Sequence, residues 1–506
     1  MKVKAPSLES GIQIPVSSSV AGLLFDVESK EKERRREPSV KYRVAISGSY
    51  GGMNLGDEAI LEVILRELRA TLDVDVVVFS RNAKDTEQRH KVRAVTIRDM
   101  HKDAVLQELQ KLDLFILGGG GILFDGIVEE MLRDVNWAKE LNVPVMIYAI
   151  SAGPLKTPES KQLVVQVLNR VDKITVREGE AKKILDDLGI NQPIDITADP
   201  GLLLKPQPFT KDMLKKEGIN PDIPLVGFSV REPGPAAPDL NIEQYHAILA
   251  NTADFMVERF DAQVLFVPME GGEHKDQQHS HAVISKMANA QRAHVLKGEY
   301  SAGEVLGLMK HMSFAVGMRL HFLIFAGIQK VPFVSLPYAT KVSGFLSDLE
   351  MPMPPIAALN VGKLCAFLDR SWDLRNNIKK RLEERVPPIQ ERAKKTNQIL
   401  CELLQSLKPK HRPRRSQVGL AHEGRQRDRH RHRVRGVLLL AATAAPARRV
   451  PVHVLQHLRH DEGKRVRRSH HQPSGVVRRR GGDPRVAPRP AHGRGVAGRS
   501  IVASVS

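Results

Sequence analysis

The chain has 506 residues, 42% of them hydrophobic, which is enough for two or three soluble domains with a sizeable core. Its formal charge of +19 would suggest a nucleic-acid-binding protein, but residues 411–506 carry 23 of the 77 Lys and Arg and 5 of the 58 Asp and Glu. The other residues hold 54 basic and 53 acidic side chains, which argues against a basic body and against a specific nucleic-acid partner.

The cysteines and the apolar runs indicate the compartment. Cys365 and Cys401 are too few for a disulfide framework and lack metal-ligand spacing, which fits a reducing environment. The longest apolar stretch near the N-terminus, residues 20–25, is followed by charged residues 30–37, unlike a signal peptide. No run approaches the roughly 20 apolar residues of a membrane span. We therefore expect a cytoplasmic protein.

The first half of the chain has the pattern of a parallel α/β domain. Residues 1–40 are polar, end in a charge run and are predicted to form a disordered arm. Short apolar runs then alternate with amphipathic stretches, which predicts a Rossmann-like domain at 41–205. Its predicted elements are strands at 42–47, 74–79, 114–117, 145–149, 173–176 and 194–196 and helices at 57–71 and 178–188. Prolines between 206 and 224 mark its end.

The same alternation predicts a second Rossmann-like domain at 222–359. Its predicted elements are strands at 225–230, 263–267, 293–296, 314–316 and 333–335 and helices at 242–260, 302–311 and 322–327. Residues 360–407 have a helical, amphipathic pattern and are predicted to pack back on the first domain. Residues 411–506 lack Phe, Tyr, Trp and Met and so have too few large apolar side chains to form a core. We therefore favour an Arg/His-rich disordered tail, or out-of-frame translation, over a cationic arm that binds RNA or anionic lipid.

A glycine-rich segment at residues 48–58 joins the first strand to the first helix. Glycines let the backbone approach a ligand, and the free amides of a helix N-terminus favour an anion. Asn54, Gly56 and Asp57 are therefore candidate site residues. The spacing differs from the dinucleotide fingerprint, and no cofactor is predicted. The alternative is a tight turn in which Asp57 only caps the helix.

A second glycine run, at residues 118–121, follows the predicted strand 114–117. Ligands in open α/β sheets bind at the carboxyl ends of the strands. We therefore expect a loop here that lines the cleft, with Gly119 and Gly120 at the substrate.

The strongest signal in the second domain is a pair of side chains just after the strand at 314–316. Arg319 offers a planar fork for phosphate or carboxylate, and His321 can donate a proton or bind an anion. A helix-capping pair without a ligand is the alternative. Arg231, Glu270 and Lys341 follow other predicted strands and are further candidates for substrate binding.

Three histidines near 274–281 lie among acidic residues but do not predict a metal site. No pair has the spacing and glutamate of zinc hydrolases. We expect this polar segment to lie in solvent, and we predict no metal.

Seven short motifs in order resemble the polysaccharide pyruvyl transferase family across roughly residues 41–404. They are the segments at residues 54–58, 117–120, 151–154, 176–178, 198–200, 228–231 and 318–321. The resemblance implies a glycosyltransferase-B-like fold, in which two Rossmann-like domains face a cleft. It also implies phosphoenolpyruvate as donor and, as acceptor, a glycan of the cell surface or cell wall or its lipid- or nucleotide-linked precursor.

The resemblance also implies roles for the candidate residues. Arg319 and His321 match the family's donor-site signature, and Asn54, Gly56 and Asp57 match its first element. We assign Arg319, then Arg231, to the donor's anions, His321 to proton donation or phosphate binding, and Asp57 to deprotonating or orienting the acceptor hydroxyl. A lipid-linked acceptor would bring the protein to a membrane surface.

Two other functions remain open from the sequence. A nucleotide-sugar-dependent glycosyltransferase would share the fold and the cleft. A glycan-binding or scaffold protein would tolerate the loss of Arg319 and His321, and the intact pair argues against it. The acceptor sugar and the oligomeric state are left open as well.

Overall fold

Every strand that the structure describes belongs to one of two parallel sheets. The computed structural model describes residues 41–232, 241–272, 276–336, 340–352 and 360–409. The predicted arm at 1–40 and the predicted tail at 411–506 lie outside these residues.

The first sheet has seven strands in the order β3-β2-β1-β4-β5-β6-β7. They are β1 (Tyr42–Ser47), β2 (Val74–Phe79), β3 (Arg93–Val95), β4 (Leu114–Leu123), β5 (Val145–Ala152), β6 (Lys173–Val176) and β7 (Ile194–Ile196). The central strands are buried on both faces, which is why β1, β4 and β5 are mostly apolar and lack strict alternation.

The second sheet has five strands in the order β10-β9-β8-β11-β12. They are β8 (Leu225–Ser229), β9 (Gln263–Phe266), β10 (Ala293–Val295), β11 (Phe314–Gly317) and β12 (Phe333–Ser335). In each sheet the strand order reverses once, between β1 and β4 and between β8 and β11.

Helices cover both sheets and connect successive strands. They are α1 (Leu55–Thr71), α2 (Ala83–His90), α3 (Lys102–Gln110), α4 (Val128–Glu140), α5 (Pro158–Leu168), α6 (Gly179–Asp187), α7 (Lys211–Lys216), α8 (Ile242–Phe260), α9 (Asp276–Ile284), α10 (Ala302–Met309), α11 (Leu320–Ile328), α12 (Thr340–Asp348), α13 (Val361–Asp373) and α14 (Arg375–Ser406). Within the described ranges no helix has the length and apolar content to cross a membrane.

The two sheets are joined through α1. Its buried residues Ala59 and Val63 belong to the same apolar cluster as Leu320 and Leu323 of α11. The main chain pairs at the same place, because the Leu55 amide donates to Met269 O at 2.9 Å and the Gly271 amide donates to Met53 O at 2.9 Å. The N-terminus of α1, which follows the first sheet's β1, is therefore also fixed to the part of the chain that forms the second sheet.

The long helix α14 also contacts both halves. Leu382 and Val386 pack in the cluster that α1 shares with α11. Further along, Leu400 and Leu404 pack in the cluster that covers β1.

The predicted fold class is confirmed: two parallel α/β sheets form a glycosyltransferase-B-like fold. One local expectation is wrong. Residues 118–121 are not a loop, because β4 continues through them to Leu123. Glycine is required there by close packing, since a Cβ on Gly119 would overlap Ile60 of α1, and the backbone φ is +64°.

Candidate functional site

The carboxyl ends of the strands at both reversal points open onto one cavity of about 290 Å³. From the first sheet, Asn54 and Asp57 follow β1 and Gly121 lies near the end of β4. From the second sheet, Arg231 follows β8, and the segment after β11 adds further side chains. This is the position at which open α/β sheets bind ligands, and the volume suits a small molecule.

The described residues that line the cavity are rich in positive charge. The cationic side chains are those of Arg81, Arg177, Arg231, Arg319 and Lys341. His321 lies beside them, and the lining carboxylates are Asp57 and Glu270. Such a surface favours a small anion that carries more than one negative charge.

The loop after β1 is held by a network of buried hydrogen bonds. Tyr50 Oη donates to Gly118 O at 2.5 Å, and Glu58 Oε1 accepts from the Gly51 amide at 2.9 Å. The other Glu58 oxygen lies 2.7 Å from His90 Nε2. Asn54 is the N-cap of α1, and its Oδ1 accepts from the Gly56 amide at 2.9 Å. These contacts fix the first turn of α1 at the edge of the cavity.

Asp57 is poised to exchange a proton near neutral pH. Burial raises the pKa of its carboxyl from the ordinary 3.8 to about 6, although His321 and Lys341 act in the opposite direction. Its Oδ1 lies against Gly120, where an added Cβ would stand 3.2 Å away. A carboxyl with such a pKa can serve as a general base or a general acid.

His321 lies in the first turn of α11 and packs directly on α1. A Cβ on Gly56 would overlap the imidazole ring, so this glycine makes room for the histidine. His321 Nε2 lies 3.4 Å from Asp199 Oδ1. Burial acts to raise the pKa of Asp199, but His321 and Arg177 outweigh it and hold that pKa well below its usual range.

Arg177 lies directly after β6 and is only 4% exposed. Its Nη1 donates to Asp199 Oδ2 at 2.6 Å, and its Nε donates to Ser151 Oγ and to Glu178 Oε2 at 3.2 Å. Asp199 thus joins Arg177 to His321. The third nitrogen, Nη2, lacks a hydrogen-bond partner among the described residues.

Arg319 makes ion pairs inside the protein. Its Nε donates to Asp276 Oδ2 at 3.0 Å, and its Nη2 lies 2.5 Å from Asp276 Oδ1 and 2.7 Å from Glu270 Oε2. Asp276 is fully buried and also accepts from the backbone amides of Met269 and Glu270. The expectation that this acidic segment lies in solvent is therefore wrong for Asp276, because it anchors Arg319 and the chain after β9.

The other predicted residues take different positions around the cavity. Lys341 is in α12 and lines the cavity, as does Arg231, which pairs with Glu232. Gly119 and Gly120 are buried in β4, and it is their neighbour Gly121 that lines the cavity.

The histidines of the second half do not form a metal cluster in the described part of the chain, where no group of three or more His, Cys, Asp and Glu could hold a metal ion. His279 pairs with His246, with 3.0 Å between Nδ1 and Nε2, and burial lowers the pKa of both. His281 is exposed, and residues 273–275 lie outside the described ranges.

Sequence reasoning assigned no role to Arg81, Arg177, Asp199 or Asp276. Arg81 and Arg177 come just after β2 and β6, so the rule that identified Arg231 also applies to them. Asp199 comes three residues after β7 but is nearly buried, and its partners are distant in the sequence. Only the folded arrangement identifies its role.

Comparison with known families gives one match. Residues 54–340 match the sequence model of the polysaccharide pyruvyl transferase family, which covers more than half of the chain and includes Asn54, Asp57, Arg177, Asp199 and the segment after β11. No curated protein has a significantly similar sequence.

Solved structures with a similar fold have very different sequences. A putative UDP-N-acetylglucosamine 2-epimerase from Listeria monocytogenes is 14% identical with a TM-score of 0.51, over 72% of this chain and 96% of that one. A glycosyltransferase from Rickettsia africae is 11% identical with a TM-score of 0.48, over 72% of this chain and 98% of that one. At such identities the likeness to the epimerase shows the fold alone.

Proposed function

This chain belongs to the polysaccharide pyruvyl transferase family, and we propose that it transfers the pyruvyl group of phosphoenolpyruvate to a sugar as a ketal. The acceptor is a cell-surface polysaccharide or its precursor, and phosphate is released. Family membership makes the protein a transferase, while the donor and the product are our proposal.

One observation supports the proposal most strongly. Asp57, with a pKa of about 6, and His321, next to the ionised Asp199, line the same cation-rich cavity. Phosphoenolpyruvate carries a carboxylate and a phosphate, and its conversion to a ketal requires both an acid and a base. The cavity therefore has the charge and the proton-transfer groups that this reaction needs.

The reaction proceeds in two additions to the same carbon. A proton is added to the methylene carbon of phosphoenolpyruvate, and a sugar hydroxyl attacks the neighbouring carbon and loses its proton. The bond from that carbon to the phosphate oxygen then breaks, and phosphate leaves with the electron pair. A second hydroxyl attacks and closes the ring. One of the two hydroxyl protons makes up for the proton that was added to the methylene carbon, and the other ends on phosphate.

The residues divide these steps between them. His321, whose Nε2 lies 3.4 Å from Asp199 Oδ1, protonates the methylene carbon. Asp57 accepts the proton of the attacking hydroxyl. Positive side chains, among them Arg231 and Lys341, offset the charge of the donor and of the departing phosphate.

The acceptor enters from solvent, to which the cavity is open. We propose that only the sugar that receives the pyruvyl group reaches Asp57. A lipid-linked or nucleotide-linked carrier would remain outside, and a lipid carrier would bring the enzyme to a membrane surface.

Phosphate release tests the proposal. Phosphoenolpyruvate and extracted glycan precursors are incubated with the full-length protein, and the product is analysed by NMR for a ketal methyl group. Uridine- and guanosine-diphosphate sugars are supplied as donors in parallel. Turnover with a nucleotide sugar, and none with phosphoenolpyruvate, would support the glycosyltransferase function instead.

A further inference from the structure

The guanidinium of Arg177 is incompletely satisfied although it is buried. Nε and Nη1 donate to Ser151, Glu178 and Asp199, but Nη2 has no acceptor among the described residues. A buried donor without an acceptor is costly and in a native protein requires an explanation. An oxygen atom of a ligand would supply the missing acceptor.

The nitrogen Nη2 lies at the wall of the cavity formed by Gly121. A Cβ placed on Gly121 would stand 3.6 Å from Arg177 Nη2 and 3.6 Å from Lys341 Nζ. Both nitrogen atoms are therefore close to one point on the cavity wall. Arg177 supplies a directed donor and Lys341 supplies a compact positive charge.

We propose that Arg177 Nη2 and Lys341 Nζ form an oxyanion subsite at Gly121, and that this subsite binds the phosphate group of the donor. The proposal rests on the proposed function for the identity of the donor. The fork of Arg319, which the sequence assigned to the donor's anions, is held by Asp276 and Glu270. Arg319 accordingly positions the segment that carries His321.

The charge of the ligand favours phosphate over carboxylate at this subsite. A phosphate monoester carries close to two negative charges and three acceptor oxygens, so it can engage Arg177 and Lys341 together. The carboxylate of the donor has one charge and two oxygens, and it remains for Arg231, which also lines the cavity.

A direct substitution of Arg177 would be a poor test. It would leave Asp199 and Glu178 buried without their partner, and loss of such a partner destabilises a protein strongly. Gly121→Ala is better, because the new methyl group fits with its nearest atoms at 3.6 Å and the backbone does not adopt a left-handed conformation. The methyl group occupies the space beside both nitrogen atoms.

Gly179→Ala is the matched control. Gly179 begins α6 two residues after Arg177, no other atom lies within 4 Å of its added Cβ, and its backbone is also not left-handed. Full-length wild type, Gly121→Ala, Gly179→Ala and Lys341→Met are titrated calorimetrically with inorganic phosphate, phosphoenolpyruvate and pyruvate, and each is melted.

We expect Gly121→Ala and Lys341→Met to weaken phosphate and phosphoenolpyruvate binding by about tenfold or more, as loss of a hydrogen bond to a charged group would. Pyruvate binding and the melting temperatures should not change, and Gly179→Ala should resemble wild type. Unchanged phosphate affinity in Gly121→Ala, or weaker pyruvate binding alone, would overturn the proposal.

The two proposals fail in different ways. If phosphate binding depends on Gly121 but phosphoenolpyruvate is never turned over, the subsite stands and the proposed function fails. If phosphoenolpyruvate is turned over and Gly121→Ala changes neither its KM nor phosphate affinity, the function stands and the subsite fails. Uridine diphosphate is titrated as well. If Gly121→Ala weakens only the binding of uridine diphosphate, the subsite does not bind the phosphate group of phosphoenolpyruvate.

Discussion

The Asp57→Asn substitution should change stability and activity in opposite directions. The pKa of Asp57 is raised from 3.8 to about 6, and each pKa unit corresponds to about 1.4 kcal/mol, so its ionisation costs the folded state up to about 3 kcal/mol. Solvent in the cavity screens part of this cost. Asparagine keeps the shape without the charge, and we expect a gain of about 1–2 kcal/mol in unfolding free energy at pH 8.

The pH dependence follows from the direction of the shift. The folded protein holds the Asp57 proton more tightly than the unfolded chain, so the cost is absent below about pH 3.8, grows as the pH approaches 6 and is complete above it. The stability difference between variant and wild type should therefore be about a third as large near pH 4.5 as at pH 8. Urea unfolding across this range measures the difference.

The same substitution, Asp57→Asn, should lower turnover. If Asp57 is the base, Asp57→Asn loses about 10²- to 10⁴-fold in turnover, and wild-type kcat/KM falls below about pH 6. Asp186→Asn, on the exposed face of α6, is the control and should change neither property. A stability gain that is equal at pH 4.5 and 8 would refute the cost of ionisation. Near-normal turnover would refute the catalytic role.

Three other predictions concern the same cavity. His321→Ala should lower turnover by about 10²- to 10⁴-fold while the protein still folds cooperatively, whereas the exposed His281→Ala should have no effect in the same phosphate-release assay. Arg319→Lys should weaken donor binding. It should also lower the unfolding free energy by about 1.5–3 kcal/mol, because the forked hydrogen bonds from the guanidinium to Asp276 are lost. Unchanged stability in urea would contradict this structural role. We expect turnover to persist in EDTA, and loss that added magnesium or manganese restores would contradict a reaction without metal.

The sequence predicted the architecture because each strand and helix is a local pattern. The apolar runs of β1, β4 and β5 are recognisable because a parallel sheet buries both faces of its strands. The glycine-rich turn before the first helix directed attention to Asp57 and the position after a strand directed it to Arg231, and both line the cavity.

The pairing within the site was not predictable in this way. Arg177 and Asp199 are separated by 22 residues, and Arg319 and Asp276 by 43, and no local pattern relates them. Asp276 was assigned to solvent because its neighbours in the sequence are polar. Its burial is decided by contact with a different strand end, which only the tertiary structure reveals.

The main-chain pairing of residues 53–55 with 269–271 has a consequence for how substrates enter. Enzymes that open like a clamshell assemble their catalytic groups only when two lobes swing together. Here, a comparable swing would have to break the hydrogen bonds from Leu55 to Met269 and from Gly271 to Met53, at the turn that carries Asp57. These two hydrogen bonds tie the turn before α1 to the chain after β9, so groups from both sheets are held together at the site before a substrate enters.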